Sequence, residues 1–181
     1  MDITKTQGII VCGMNGSGKT TLGRELARIL NFKHLDIEDY HFHDAEIPYS
    51  NPRSTEETLA LMLVDIKKYP SFVVTTVNGD YLGKEILSHC HFVVYLDAPL
   101  EVRLKRVKQR SYDKFGDRVL VGGDMYTQES EFYEFVTNRS SEKLDKWIGK
   151  VEYPVVLVNG MNDYKTNAEF IASEYNEFLK M

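Results

Sequence analysis

The sequence predicts a three-layer α/β fold, a five-stranded parallel sheet with helices on both faces. Short apolar, β-branched runs alternate along the chain with segments whose apolar residues recur at helical spacing. The runs are apolar throughout rather than alternating, as strands buried on both faces are. The first of them leads directly into Gly13-Met14-Asn15-Gly16-Ser17-Gly18-Lys19-Thr20, a complete G-x-x-x-x-G-K-[ST] phosphate-binding loop, with a helix behind it.

Taken in order, Gly8-Ile9-Ile10-Val11-Cys12 is the first strand, and Leu22, Leu26, Ile29 and Leu30 mark the first helix. Phe32–Ile37 reads as a second strand ending in the acids Asp36, Glu38 and Asp39, where an open α/β sheet meets its ligand. Tyr40 to Arg53 has aromatics, two prolines and little periodicity, which predicts an irregular segment over the site. Ser54-Thr55-Glu56-Glu57 is a capping box opening a helix with Leu59, Met62, Leu63 and Ile66 inward and Pro70 beyond its end. Phe72–Val77 is the third strand, turned by Asn78-Gly79-Asp80 into a helix carrying Leu82, Ile86 and Leu87; Phe92–Leu96 is the fourth. Pro99 suits the first turn of the next helix, whose core positions would be Leu100, Leu104 and Val107. Ser111–Gly123 is polar and glycine-bearing and reads as a mobile flap. Phe132, Phe135, Val136, Leu144, Trp147 and Ile148 mark one long or broken helix. Val155–Val158 is the fifth strand, and a last helix would be capped at Thr166 with Glu169 three residues on.

The loop's residue types match a polyphosphate. Gly13, Gly16 and Gly18 permit turns that aim successive N–H groups inward, and the helix behind them adds its positive end. Asn15, Ser17 and Thr21 share the cradle; Lys19 brings a point charge to the β- and γ-phosphates, and the Thr20 hydroxyl is placed to ligate Mg²⁺.

With 181 residues and 43% hydrophobic content, the chain is expected to be a single domain over 1–181, with an acceptor-binding insertion at about 40–70 and a lid at about 108–123. Residues 1 to 7 are mostly polar, with no apolar h-region, and no run of apolar residues approaches a membrane span, so a cytoplasmic enzyme, monomer or homodimer, is expected, with no membrane partner. Cys12 and Cys90 lack metal-site spacing and read as buried thiols. The net charge of −5 argues against nucleic-acid binding, yet Pro99–Arg118 holds seven cations against three anions, so +4 there against −9 elsewhere.

The chain resembles the small P-loop kinases of the adenylate, shikimate and gluconate kinase group. Four stretches carry the resemblance over nearly the whole length: the loop Gly13–Thr20, the strand end Leu35-Asp36-Ile37-Glu38-Asp39-Tyr40, the turn Val77-Asn78-Gly79, and Tyr95-Leu96-Asp97-Ala98-Pro99 before the arginine-rich helix. It implies a P-loop NTPase fold with an arginine-rich lid, ATP and Mg²⁺ as cofactors, and transfer of phosphate to a small metabolite. The second-strand acid would contact the acceptor hydroxyl or the metal, the third-strand turn would lie beside the acceptor, and Asn159–Asp163 would touch adenine through backbone. The Asp-Gly-Phe-Pro-Arg-like turn of adenylate kinases and the glycine triplet of shikimate kinases are both missing after the third strand, so the acceptor stays open. A nucleotide or nucleoside kinase is one alternative; a slowly hydrolysing regulatory switch is another, without the guanine-specifying Asn-Lys-x-Asp stretch.

Catalysis needs one acid toward the metal and another toward the acceptor. Asp36 is assigned to the metal with Thr20; Glu38 and Asp39 compete for the acceptor. Arg103, Arg106 and Arg110 recur along one helical face, and Arg106 and Arg110 are expected at the nucleotide, with Arg118 reaching in from the flap. Arg53, Asn78 and Gly79 are expected at the acceptor. Asp97 fits a loose Walker B pattern but reads better as the start of the lid helix, and His41, His43 and Asp44 read as loop residues rather than a zinc site.

Overall fold

A computed structural model describes residues 6–43 and 51–181. Five strands form one wholly parallel sheet in the order β2-β3-β1-β4-β5: β1 (Gln7–Cys12), β2 (Lys33–Asp36), β3 (Ser71–Thr76), β4 (Cys90–Asp97) and β5 (Val155–Asn159). The central β1 pairs with both β3 and β4, Ile10 opposite Val74 and Val93, with a register shift against β4 between Gly8 and Ile9.

Alternation along β1 splits the core into two layers. Ile9 and Val11 face α1 (Lys19–Leu30) and α8 (Tyr164–Phe178), packing with Leu22, Leu26, Ile171 and Tyr175. Ile10 and Cys12 face the other way, toward Met62 and Ile66 of α3 (Thr55–Lys68), Leu82 of the 3-10 turn Gly79–Leu82, Ile86 of α4 (Gly83–Leu87), and Leu144 and Trp147 of α7 (Glu142–Ile148). Burying a large apolar side chain is worth about 1.5–3 kcal/mol, so these two layers are where the strands gain their stability. The three-layer α/β expectation holds.

The capping box opens α3 as expected: Ser54 Oγ accepts from the Glu57 N–H at 3.1 Å and Glu57 Oε2 accepts from the Ser54 N–H at 3.0 Å. Three local expectations change. The last helix begins earlier than Thr166, because the Asp163 carboxylate accepts from the N–H groups of Lys165 and Thr166 and caps α8 there. The 111–123 stretch is largely helical: α5 (Leu100–Phe115) continues through it into a 3-10 turn, Gly116–Val119. The return to α6 (Tyr126–Asn138) is closed by Arg118, whose guanidinium donates twice to Asp124. Local turn composition suggested a loop, but the Gly116 C-cap comes only after four full turns of helix. On α5 the inward face also differs, since Leu100 is 38% exposed while Arg103 is 9% exposed and Val107 is buried.

All five strands run the same way, so their carboxyl ends deliver Gly13, Asp36, Asp97 and Gly160 to one edge of the sheet.

Candidate active site

The phosphate loop is shaped by what packs beneath it. Gly16 and Gly18 have φ of 78° and 103°, in the region that favours glycine. A Cβ at Gly16 would run into the main chain of Arg103, so the first turn of α5 sets how deep the loop sits. Gly18 is the left-handed N-cap of α1 and supplies no side chain to cap it, which leaves the first N–H groups of a 12-residue helix open to an anion. Lys19 Nζ folds back to donate to the Met14 carbonyl at 3.2 Å. Desolvation lowers its pKa; Glu38 and Asp36 oppose that, and the nearby positive charge of Arg139 adds to it.

The acidic wall is built by the end of β2 and the short helix α2 (Ile37–His41). Asp36, 7% exposed, is fixed through both oxygens: Oδ2 accepts from the Thr20 hydroxyl at 2.7 Å, and Oδ1 accepts from the Glu38 N–H at 3.1 Å, capping α2. Glu38 lines the cleft with Lys19 and Arg110. Burial around its carboxyl raises its pKa, the Asp36 charge raises it further, and Lys19 and Arg110 pull it back. Asp39 is outside the cleft lining; burial and Asp36 raise its pKa, and Arg24 is the cation that lowers it. Of the two acids weighed for the acceptor, Glu38 lines the cleft with the phosphate loop and Asp39 does not.

The three arginines of α5 separate. Arg103 turns inward, Nε donating to the Ala98 carbonyl at 3.0 Å and Nη1 to the Asn15 carbonyl at 3.3 Å, and desolvation lowers its pKa. It is scaffold, tying the loop to the β4–α5 junction. Arg106 lines the cleft but is also engaged, with Nη1 on the Ser17 carbonyl at 3.1 Å and Nη2 on the Gly160 carbonyl at 2.9 Å. Arg110 lines the cleft one turn further on, in the field of Glu38.

Several expected positions make contacts within the framework. Arg53 Nη1 donates to the carbonyls of Tyr40 at 2.7 Å and Phe42 at 2.9 Å, pinning the end of α2. The buried Asn78 caps the following 3-10 turn through the Asp80 N–H at 3.0 Å, and Gly79 lacks a Cβ because the Trp147 ring fills that space. Arg118 is bound to Asp124, away from the cleft lining. Asp97 does not line the cleft; its carbonyl accepts from the Gly160 N–H at 2.6 Å. His41 Nδ1 lies 3.4 Å from the Thr58 hydroxyl; Asp44 is outside the described residues. Among the described residues no group of three or more His, Cys, Asp or Glu is arranged to hold a metal.

Arg139, at the C-cap of α6, had no signal in the sequence beyond being an arginine in a polar stretch. Its Nη1 donates to Asn15 Oδ1 at 2.7 Å, Nη2 to the Tyr81 hydroxyl at 3.2 Å, and its guanidinium sits 5.2 Å over the Phe135 ring. It brings a further cation to the loop from a helix distant in sequence.

Together these walls enclose a cleft of about 510 Å³. It runs from Asn15–Thr21, Glu38 and Arg110 at one end to Gly160, Asn162, Asp163, Tyr164 and Asn167 at the other. A parallel sheet ending in such a loop, with an acid on the loop's threonine and arginines over it, defines a nucleotide-binding P-loop enzyme.

Comparisons with known proteins carry this further. The AAA domain family model (AAA_18) matches residues 9–134. A shikimate kinase of Clostridium botulinum (strain Okra / Type B1) is 32% identical over 143 residues, covering 71% of this chain and 83% of the relative. The uncharacterized protein YqaC of Bacillus subtilis (strain 168) is 26% identical over 160 residues, covering 84% and 88%. A gluconokinase structure from Sinorhizobium meliloti 1021 superposes with TM-score 0.57 at 14% identity, over 97% of each chain. The chain belongs to this AAA domain family, within the small P-loop kinases, and is a small-molecule kinase with a nucleotide-binding P-loop.

Proposed function

We propose that the protein transfers the γ-phosphoryl group of ATP, with Mg²⁺, to a hydroxyl of a small metabolite in the cytoplasm. The observation that carries this reading is the arrangement Thr20–Asp36–Glu38: the Thr20 hydroxyl and the Asp36 carboxylate lie 2.7 Å apart beside the phosphate loop, and Glu38 lines the same cleft as Thr20. Thr20 and Asp36 suit Mg²⁺, being one neutral and one charged oxygen donor, with phosphates and water to complete the shell. When bound, the ion would supply neutralisation of the phosphate charge.

Glu38 supports a hydroxyl acceptor over a phosphate, because an ionised phosphate oxygen needs no base and a hydroxyl does. Its raised pKa makes it a better proton acceptor than an ordinary glutamate, and the cleft puts it beside Lys19 and Arg110. Lys19 would leave the Met14 carbonyl for the β- and γ-phosphates. Arg110 would meet the charge on the transferring group, and Arg139 would add to the positive field there. Two unpaired, buried cysteines support a reducing compartment.

The related shikimate kinase and the gluconokinase, as their names state, act on different acceptors. The test is a screen of small hydroxylated metabolites for stimulated ADP release, with and without Mg²⁺. The expected result is one class of hydroxy compound raising release strongly, in a Mg²⁺-dependent way. A nucleoside or nucleoside monophosphate as the best acceptor, or release indifferent to every acceptor, would contradict the reading.

A further inference from the structure

The nucleoside end of the cleft contains a hydrogen-bond chain of fixed polarity, and the inference drawn from it rests on the adenine-nucleotide reading above. A triphosphate lying on the loop, with its transferable end toward Glu38, leaves the other end of the cleft for its base. That end is lined by Gly160, Asn162, Asp163, Tyr164 and Asn167. Asn167 is 5% exposed, on the first turn of α8. Its Nδ2 donates to the Asn159 main-chain carbonyl at 2.9 Å. A carbonyl oxygen only accepts, so this amide cannot be turned over without losing its bond. Its Oδ1 is therefore a fixed acceptor. The only hydrogen bond it receives among the described residues is from Asn162 Nδ2, at 3.5 Å, long enough to yield to a better donor.

The anchor is itself held: Asn159 closes β5 opposite Asp97, its carbonyl also accepts from the Asn162 N–H at 3.2 Å, and its side chain accepts from the Met161 N–H at 2.9 Å. Arg106, bonded to Gly160, adds a planar, fixed guanidinium at the same place.

We propose that Asn167 determines base selectivity: its Oδ1 accepts from the 6-amino group of adenine and opposes the 6-oxo group of guanine or hypoxanthine. Amino and oxo substituents are nearly equal in size, so shape alone separates them poorly. Donor against acceptor separates them well, since a mismatched base leaves two acceptors facing each other in a buried site.

The test is the affinity of the wild-type protein, by calorimetry, for ADP, the diphosphate of unsubstituted purine riboside, and inosine diphosphate. ADP is expected to bind tightest, the unsubstituted purine about 5–10-fold more weakly for one lost hydrogen bond, and inosine diphosphate at least about 30-fold more weakly. In Asn167→Leu, checked for folding by its melting curve, the ADP to inosine diphosphate ratio should fall to within about 3-fold, as the removed acceptor no longer distinguishes the bases. Asn162→Ala, at an exposed position, should keep a ratio of at least about 10, because Asn159 still orients Asn167. Equal binding of ADP and inosine diphosphate by the wild type overturns the inference even if Asn167→Leu does not fold. So does an unchanged ratio in folded Asn167→Leu, or a ratio lost in Asn162→Ala. Failure of the wild type to bind ADP at all would instead overturn the nucleotide reading and the inference with it.

Discussion

The phosphate loop and helix α5 both line one cleft, and their sequences are informative in opposite ways. In the loop each residue acts through its own backbone and immediate neighbours, so a motif eight residues long specifies the geometry. On α5, Arg103, Arg106 and Arg110 are chemically identical and helically spaced, yet one is buried scaffold, one braces two carbonyls, and one stands in the cleft beside Glu38. Periodicity assigns residues to a face; it does not say what that face packs against. A charge in the only cationic stretch of an acidic chain can be structural.

Substitutions at these positions sharpen the contrast. Lys19→Ala should be the most severe, reducing turnover by at least about 10³-fold with the fold intact, because among the described residues Lys19 bonds one loop carbonyl, that of Met14. Full activity in a folded Lys19→Ala protein would break the assignment of the loop. Arg110→Ala should lower kcat by about 10²-fold with little change in ADP affinity, since its contacts are to develop with the transferring charge. Arg106→Ala should instead weaken nucleotide binding more than kcat, as it joins Ser17 to Gly160 beside the nucleoside end. If the two variants behave alike in a kcat and KM comparison, the distinction between them fails.

Arg103→Met should show its effect mainly in stability. The buried charge is removed at little cost, but the carbonyls of Ala98 and Asn15 lose a donor, for a loss of about 1–3 kcal/mol in denaturant unfolding. A smaller effect is expected from pH. His34, 3.2 Å from the Thr75 hydroxyl, has its pKa pushed down to about 4 by burial. The unfolded chain takes up that proton from its ordinary value near 6.5, while the folded chain does not until near 4. Stability should fall as pH drops through that window, and His34→Gln should flatten the fall. An identical pH profile in the variant would remove His34 from the account.

Much of the fold was legible because its signals are local. Strand runs are continuous and apolar, the Ser54 capping box is complete within four residues, and the loop sits between strand and helix. The acidic strand end was legible to the level of Asp36 with Thr20, but the choice between Glu38 and Asp39 depends on which side chain the turn of α2 presents to the cleft. Asn78, Gly79 and Arg53 are expected at the acceptor, but the packing of Gly79 on Trp147 and the hold of Arg53 on the carbonyls of Tyr40 and Phe42 come from contacts that local sequence does not announce. Arg139 and Asn167 carried no signal for the same reason, as each is held by a partner on another element.

The central claim is that Glu38, rather than Asp39, receives the acceptor's proton at a site organised by Asp36 and Thr20. The most direct measurement is kcat for Glu38→Gln and Asp39→Asn with the acceptor found in the screen, alongside ADP affinity. The account predicts that Glu38→Gln lowers kcat by about 10²–10⁴-fold, the scale of a positioned general base, with ADP affinity nearly unchanged. It predicts Asp39→Asn within about 3-fold of wild type, as for a group outside the chemistry. A large loss in Asp39→Asn with Glu38→Gln near normal would contradict it.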